Sequence, residues 1–221
     1  MKLIFLHTSS VHIETFDRLL RQSGAAVQTE HLVHEDLLEQ ARQTGITVAL
    51  QDRVSAVIEN AAGAGDFVLC TCSTIGGCAE ALNNAGERRV VRVDRAMARR
   101  AVELGEHILV CAALHSTLAP TQALIAEEAQ AIRKTVQQTP LICETAWTLF
   151  EMGDLDGYHR RIADDLRRYL TAGNYPDVIV LAQASMAGAA AYCTDLSIPI
   201  LSSPQLGINA ALKTLGMMDD G

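Results

Sequence analysis

The sequence predicts an α/β fold of two pseudo-symmetric lobes, each a parallel sheet of about four strands flanked by helices. Three observations predict it. Short apolar runs alternate with helical segments along the whole chain, as in parallel sheets covered on both faces. The alternation restarts after Gly105. One segment also occurs twice: Asp66 opens Asp-Phe-Val-Leu-Cys-Thr-Cys-Ser-Thr, and Asp177 opens Asp-Val-Ile-Val-Leu-Ala-Gln-Ala-Ser. Each copy is an acidic residue, a short apolar strand, and a small polar cluster entering a Gly/Ala-rich helix.

The elements follow in order. Leu3–Leu6 reads as a buried first strand, with a helix at Ile13–Arg21. Val27–Val33 is a strand, then helices run over Asp36–Gln43 and Thr47–Ala62. The strand Phe67–Cys72 leads into a helix at Ile75–Ala85, and the strand Arg89–Val93 follows. Asp94–Leu104 is helical, with Asp94 as N-cap and Gly105 as the stop. In the second half, His107–Ala113 is a strand and Pro120–Val136 a long helix with Pro120 near its first position. Leu141–Cys143 is a short strand and Asp156–Ala172 a helix. Val178–Leu181 and Ile198–Leu201 are strands, each followed by a helix, at Ser185–Cys193 and Gln205–Leu215. The lobes are expected to be residues 1–95, joined by 200–221, and residues 96–199.

Composition narrows the function classes. The 221 residues are 49% hydrophobic and 20% charged, the make-up of an ordinary globular protein. A net charge of -8 argues against nucleic acid or an anionic membrane surface as partner. The pairs Arg88-Arg89, Arg99-Arg100, Arg160-Arg161 and Arg167-Arg168 read as solvated helix faces. No apolar stretch approaches the ~20 residues of a membrane span, and His7 interrupts the first apolar run, so a cytoplasmic location is expected. The six cysteines lie mostly within apolar runs, as buried free thiols do. Cys70, Cys72 and Cys78 lack the partner pair that a metal site needs, so no metal is expected.

Ligands in open α/β sheets bind at the C-terminal ends of strands. Those ends read His7-Thr8-Ser9-Ser10, Cys72-Ser73-Thr74, His115-Ser116-Thr117 and Gln183-Ala184-Ser185. Cys72 is the candidate acid, base or nucleophile, because a helix N-terminus beside it would favour its thiolate. Cys70 and Cys78 read as core residues. Thr8, Ser9, Ser73, Thr74, Ser116, Thr117 and Ser185 are candidate donors to a small carboxylate; the same residue types also serve as N-caps. His7 and His115 are candidate acid or base partners. Matching the repeats by Asp66 and Asp177 sets Gln183 in the place of Cys72, whereas matching by the Val-Leu pairs sets Ala184 there. Neither is titratable, so the duplication keeps one thiol.

These segments resemble the aspartate/glutamate racemase superfamily, with its hydantoin racemase and arylmalonate decarboxylase relatives. Asp66–Thr74 resembles the first catalytic segment, in which a strand ends in Ala-Cys-Asn-Thr. Val93–Ala98 with Val110–Thr121 resembles the middle segment, and Asp177–Met186 the second catalytic segment, which normally ends Leu-Gly-Cys. The resemblance spans essentially the whole chain. It implies two α/β lobes, a small carboxylate substrate, no pyridoxal phosphate, no metal, and a homo-oligomer as a reasonable state. In the family's racemases two cysteines act on opposite faces of the substrate's α-carbon; Gln183 departs from that pattern. The family's one-cysteine decarboxylases keep the thiol of the second half, whereas this chain keeps that of the first. Three readings stay open: an isomerase or racemase in which Cys72 works with a partner such as His7, His115 or Thr8, a one-thiol lyase, and a small-carboxylate binding protein.

Overall fold

The computed structural model describes residues 1–85 and 89–218, so Arg88 of the first arginine pair lies outside the described residues. The chain forms two compact units, Met1–Ala96 with Pro204–Gly221, and Met97–Ser203.

The first unit is built on strands β1 (Leu3–His7), β2 (Thr29–Val33), β3 (Phe67–Cys70) and β4 (Arg89–Arg92). They are parallel and lie in the order β2-β1-β3-β4. Central strands β1 and β3 are buried along their whole length, which is why they read as unbroken apolar runs. Helix α1 (His12–Ser23) buries Phe16, Leu19 and Leu20, a spacing that puts them on one stripe. It stops at Gly24, whose φ of 70° is left-handed. Helix α2 (Glu35–Thr44) buries Leu37 and Ala41. Helix α3 (Val48–Ala61) is capped by the Thr47 side chain, which accepts from Leu50 N at 3.3 Å. The short α4 (Gly76–Glu80) continues as a 3-10 turn over Ala81–Ala85.

Alternation along β1 and β3 separates two cores. Leu3, Phe5, Phe67 and Leu69 pack with Phe16 on one face. Ile4, Leu6, Val68, Cys70 and Cys72 pack with Leu50, Val54 and Ile58 on the other.

The second unit holds β5 (His107–Ala112), β6 (Gln137–Ile142), β7 (Val178–Leu181) and β8 (Ile200–Ser202), parallel in the order β6-β5-β7-β8. The unit boundary falls within α5 (Arg95–Leu104). The second unit's further helices are α6 (His115–Ala131), α7 (Ala146–Glu151) and α8 (Leu155–Thr171). Tyr158, Ile162 and Leu166 of α8 pack against Leu109, Cys111, Ile179 and Leu181 of the sheet. The expected segment 200–221 divides: β8 pairs with β7, while the last helix, α9 (Ser203–Thr214), buries Ile208, Ala211 and Leu212 in the first unit. Gly207 permits that docking, because a Cβ there would stand 2.6 Å from the Val93 carbonyl oxygen.

Two elements differ from expectation. Helix α6 begins at His115, so Pro120 lies inside it rather than at its start. The helix ends at Ala131, and Arg133 adopts a left-handed φ of 56°. Strand β6 is therefore longer than the Leu141–Cys143 expected. Its sequence, Gln-Gln-Thr-Pro-Leu-Ile, hides it, but an edge strand tolerates a proline that a central one would not.

The repeated aspartates have a physical role. Asp66 accepts from Lys2 N at 2.7 Å and Gly63 N at 3.1 Å. Asp177 accepts from Glu106 N and His107 N, both at 2.8 Å. Each pins the start of the third strand of its unit to the start of the first. Both carboxylates are held below the usual range, chiefly by these backbone N–H groups.

Candidate functional site

Hydrogen-bond register settles which residue matches Cys72. Thr71 N donates to Leu6 O at 2.9 Å, just past β3, and Ala182 N donates to Cys111 O at 2.8 Å, just past β7. Leu6 pairs with Cys70 and Cys111 with Leu181 in the two ladders. Thr71 thus corresponds to Ala182, and Cys72 to Gln183 rather than to Ala184. Likewise His12 N donates to Ser9 O and Thr117 N to Leu114 O, so Thr8 and Ser9 correspond to Ala113 and Leu114.

Cys72 is 9% exposed and packs beside Leu6, Cys70, Ile75 and Cys78. Ser73 and Thr74 are buried after it, and Ser73 Oγ has no hydrogen-bond partner among the described residues. The loop is held from beneath by a buried ion pair. Arg92 Nε and Nη2 donate to the Asp94 carboxylate at 2.6 and 2.9 Å, and Nη2 also donates to Ser73 O at 3.1 Å. Both side chains are nearly inaccessible. Gly76 makes room for the guanidinium, since a Cβ there would lie 2.9 Å from Arg92 Cβ and Nε. The sequence reading assigned Asp94 to a helix cap and passed over Arg92. The signal was available: residues 92 and 94 flank one residue at a strand end and share a face. The five-residue α4 also replaces the longer helix whose dipole was expected to act on Cys72.

The other cysteines read as core, as burial implies. Burial pushes the Cys70, Cys78 and Cys193 thiols up. The Cys111 thiol is raised by its contact with Cys143, whose sulfur is 3.5 Å away, and by burial. Such thiols stay protonated and inert. Among the described residues no group of three or more His, Cys, Asp or Glu side chains is placed to hold a metal ion.

His7, a candidate acid or base partner from its place at a strand end, is closed off from solvent. It is wholly buried, stacked near Phe5 and Phe16 on the face away from Cys72's core, and both its ring nitrogens are engaged. Nδ1 lies 2.8 Å from Thr71 Oγ1, and Nε2 lies 2.8 Å from His31 Nδ1. His31 Nε2 in turn lies 3.1 Å from Asp17 Oδ1, and Thr71 Oγ1 reaches Leu6 O at 3.1 Å. Two proton arrangements satisfy this chain. With both imidazoles neutral, Thr71 donates to His7, His7 to His31, and His31 to Asp17. With one further proton on His31, that ring donates to His7 Nε2, His7 Nδ1–H donates to Thr71, and Thr71 donates to Leu6 O. His7 is neutral in both.

A pH dependence follows. Burial, with His12 and His31 facing the ring, pulls His7 from 6.5 down to about 3. The unfolded chain therefore binds a proton at His7 that the folded chain refuses. This contribution to stability is complete above pH 6.5 and is lost as the pH falls toward 3. Between pH 6.5 and 4.5 it amounts to about 2–3 kcal/mol, at ~1.4 kcal/mol per pH unit. Urea unfolding at the two pH values checks it: His7→Gln should flatten the acid-side loss relative to the wild type.

In the second unit, Gln183 is 8% exposed. Its Oε1 accepts from Ala113 N at 2.6 Å and Leu114 N at 3.2 Å. Only an oxygen can face two N–H donors, so the amide's orientation is fixed. Thr117 is buried, and Ser116 Oγ is buried without a partner among the described residues. His115 is exposed at the first position of α6. The Ser185 hydroxyl lies 3.0 Å from the Tyr158 hydroxyl, and Ser185 O accepts from His159 Nε2 at 2.9 Å. Tyr158 and His159 were not singled out from the sequence. Tyr158 is a helix-stripe residue, and nothing in the pattern tells that its hydroxyl meets Ser185 in the 3-10 helix Ala184–Tyr192.

No family model matches the chain, and no curated protein matches it. Solved structures do. A glutamate racemase isoform from Bacillus anthracis superposes with a TM-score of 0.71 at 14% identity, over 100% of this chain and 84% of that one. The aspartate racemase of Picrophilus torridus gives 0.69 at 12% identity, covering 97% of this chain and 94% of that one. The allantoin racemase of Klebsiella pneumoniae gives 0.61 at 18% identity, covering 100% and 90%. The chain has the α/β fold of these racemases, with two parallel four-stranded sheets flanked by helices.

Proposed function

We propose that the protein is a pyridoxal-phosphate-independent enzyme of the racemase/isomerase class. It moves a proton at the carbon α to the carboxylate of a small amino acid or related acid, and Cys72 is the acid–base group. The observation that carries this reading is Cys72 at the end of β3, followed by buried Ser73 with an unpartnered hydroxyl, in a chain with the racemase fold. The difficulty in such chemistry is the negative charge that develops on the carboxylate as the α-proton leaves. Ser73, Thr74, Thr8 and Ser9 are the donors we assign to it in the first unit. The loop that carries Ser73 and Thr74 is fixed by Arg92 and Asp94 before substrate arrives. His7 and His31 act from behind the sheet and do not touch substrate. The substrate side needs neither nucleic acid nor membrane, and no helix among the described residues is long and apolar enough to cross one.

A second reading has its own observation. In the register of the second unit Gln183 holds the place that Cys72 holds in the first, and an amide neither takes nor gives a proton. That favours a one-cysteine decarboxylase of a substituted malonate-type acid, in which loss of carbon dioxide leaves an enediolate that Cys72 protonates from one face.

Proton NMR in deuterium oxide separates these readings, using a panel of small chiral carboxylates, amino acids, hydantoins and substituted malonates. Exchange of the α-proton with loss of optical purity is the result expected of the racemase. Carbon dioxide release with deuterium on one face identifies the lyase. A panel that binds and neither exchanges nor decarboxylates defeats both, and identifies a carboxylate-binding protein.

A further inference from the structure

The two units contain the same turn in two different states. Where β5 passes into α6, the N–H groups of Ala113 and Leu114 converge on one oxygen, Gln183 Oε1, at 2.6 and 3.2 Å. Where β1 passes into α1, the corresponding N–H groups belong to Thr8 and Ser9, and they have no protein acceptor among the described residues. The residue in Gln183's place is Cys72, whose thiol offers no such oxygen. Two adjacent N–H groups ahead of a helix, α1 of 12 residues or α6 of 17, form a concavity for an acceptor oxygen. The second unit shows what such a turn holds: a planar carboxamide oxygen, the neutral counterpart of a carboxylate oxygen. The 4%-exposed Ser73 hydroxyl lies next in sequence to Cys72 and is a further donor of the first unit without an acceptor among the described residues.

We infer that Gln183 is a built-in ligand. Its side chain occupies the acceptor-binding turn of the second unit, so of these two corresponding turns the Thr8–Ser9 turn is the one left to take a substrate oxygen. Gln183 is therefore a specificity-determining residue. It closes the second unit's turn to a substrate carboxylate and leaves the first unit's turn to take one carboxylate or carbonyl group. As a statement about substrate this rests on the function proposed above; the occupation of the turn by Gln183 does not.

The test is amide NMR on the whole protein, with sodium acetate as the probe. In the wild type, the Ala113 and Leu114 amides should exchange with solvent more slowly than those of Thr8 and Ser9. They should also keep their shifts as acetate is added, while Thr8 and Ser9 move saturably. In Gln183→Ala the turn is vacated, and Ala113 and Leu114 should now respond to acetate as well. Gln183→Glu keeps an oxygen in place: both amides should shift downfield and stay insensitive to acetate, an arm that survives if the alanine variant does not fold. Exchange at Ala113 and Leu114 as fast as at Thr8 and Ser9, or an acetate response there in the wild type, overturns the inference. Silence of Thr8 and Ser9 with Ala113 and Leu114 behaving as expected leaves Gln183 as the occupant and overturns the assignment of a substrate oxygen to the Thr8–Ser9 turn.

Discussion

Cys72→Ala is expected to abolish α-proton exchange, with a loss of roughly 10²–10⁴-fold, the usual share of a positioned acid–base group. The substitution removes one sulfur from a 9%-exposed site, so the fold should survive it. Retained melting behaviour with lost exchange is the signature of a chemical role. Cys70→Ala is the control: that thiol is wholly buried and pushed up by burial, so its loss should cost stability and leave exchange largely intact. If Cys72→Ala exchanges as fast as the wild type, Cys72 is not the acid–base group. The same variant addresses the lyase reading, since either reaction draws its proton from this thiol.

Arg92→Met is expected to be the most destabilising single change near the site, costing about 3–5 kcal/mol. It strands the fully buried Asp94 carboxylate without its two donors and removes the donor to Ser73 O. For a chain of this size, that is a fall in melting temperature on the order of 10 °C. The double variant Arg92→Met with Asp94→Leu should recover much of the loss, because the penalty comes from an unpaired charge rather than from missing attraction. Thermal unfolding of the single and double variants reads this directly. A double variant less stable than Arg92→Met alone contradicts the account, and would mean that the pair is held mainly for its shape.

Much of this architecture was legible along the chain, and for a simple reason. Strands buried on both faces must be apolar throughout, so β1, β3, β5 and β7 stand out from the helices around them. The repeated aspartates stood out because each does a job that the fold needs twice. Strand β6 was legible only at its apolar end, because an edge strand is not held to that apolar rule. The place of His7 at a strand end suggested a rim residue, but alternation along β1 turns it toward Phe16 and His31. Asp17 and His31 sit fourteen residues apart, in a helix and a strand that meet only on folding.

By itself the sequence determined the kind of fold, the order of its elements and the presence of one thiol where a duplication offered two places. Those follow from local periodicity and from the repeat, which short-range physics is enough to read. Tertiary structure alone decided what the polar residues do. Whether a glutamine faces a ligand or fills its own backbone turn, and whether an imidazole is a catalyst or a buried link, depends on which donors and acceptors arrive from elsewhere. For Gln183 those are the amides of Ala113 and Leu114, and for His7 they are Thr71 and His31. A buried polar group must be paired, and its partner is set by the strands and helices packed against it rather than by its neighbours in the chain.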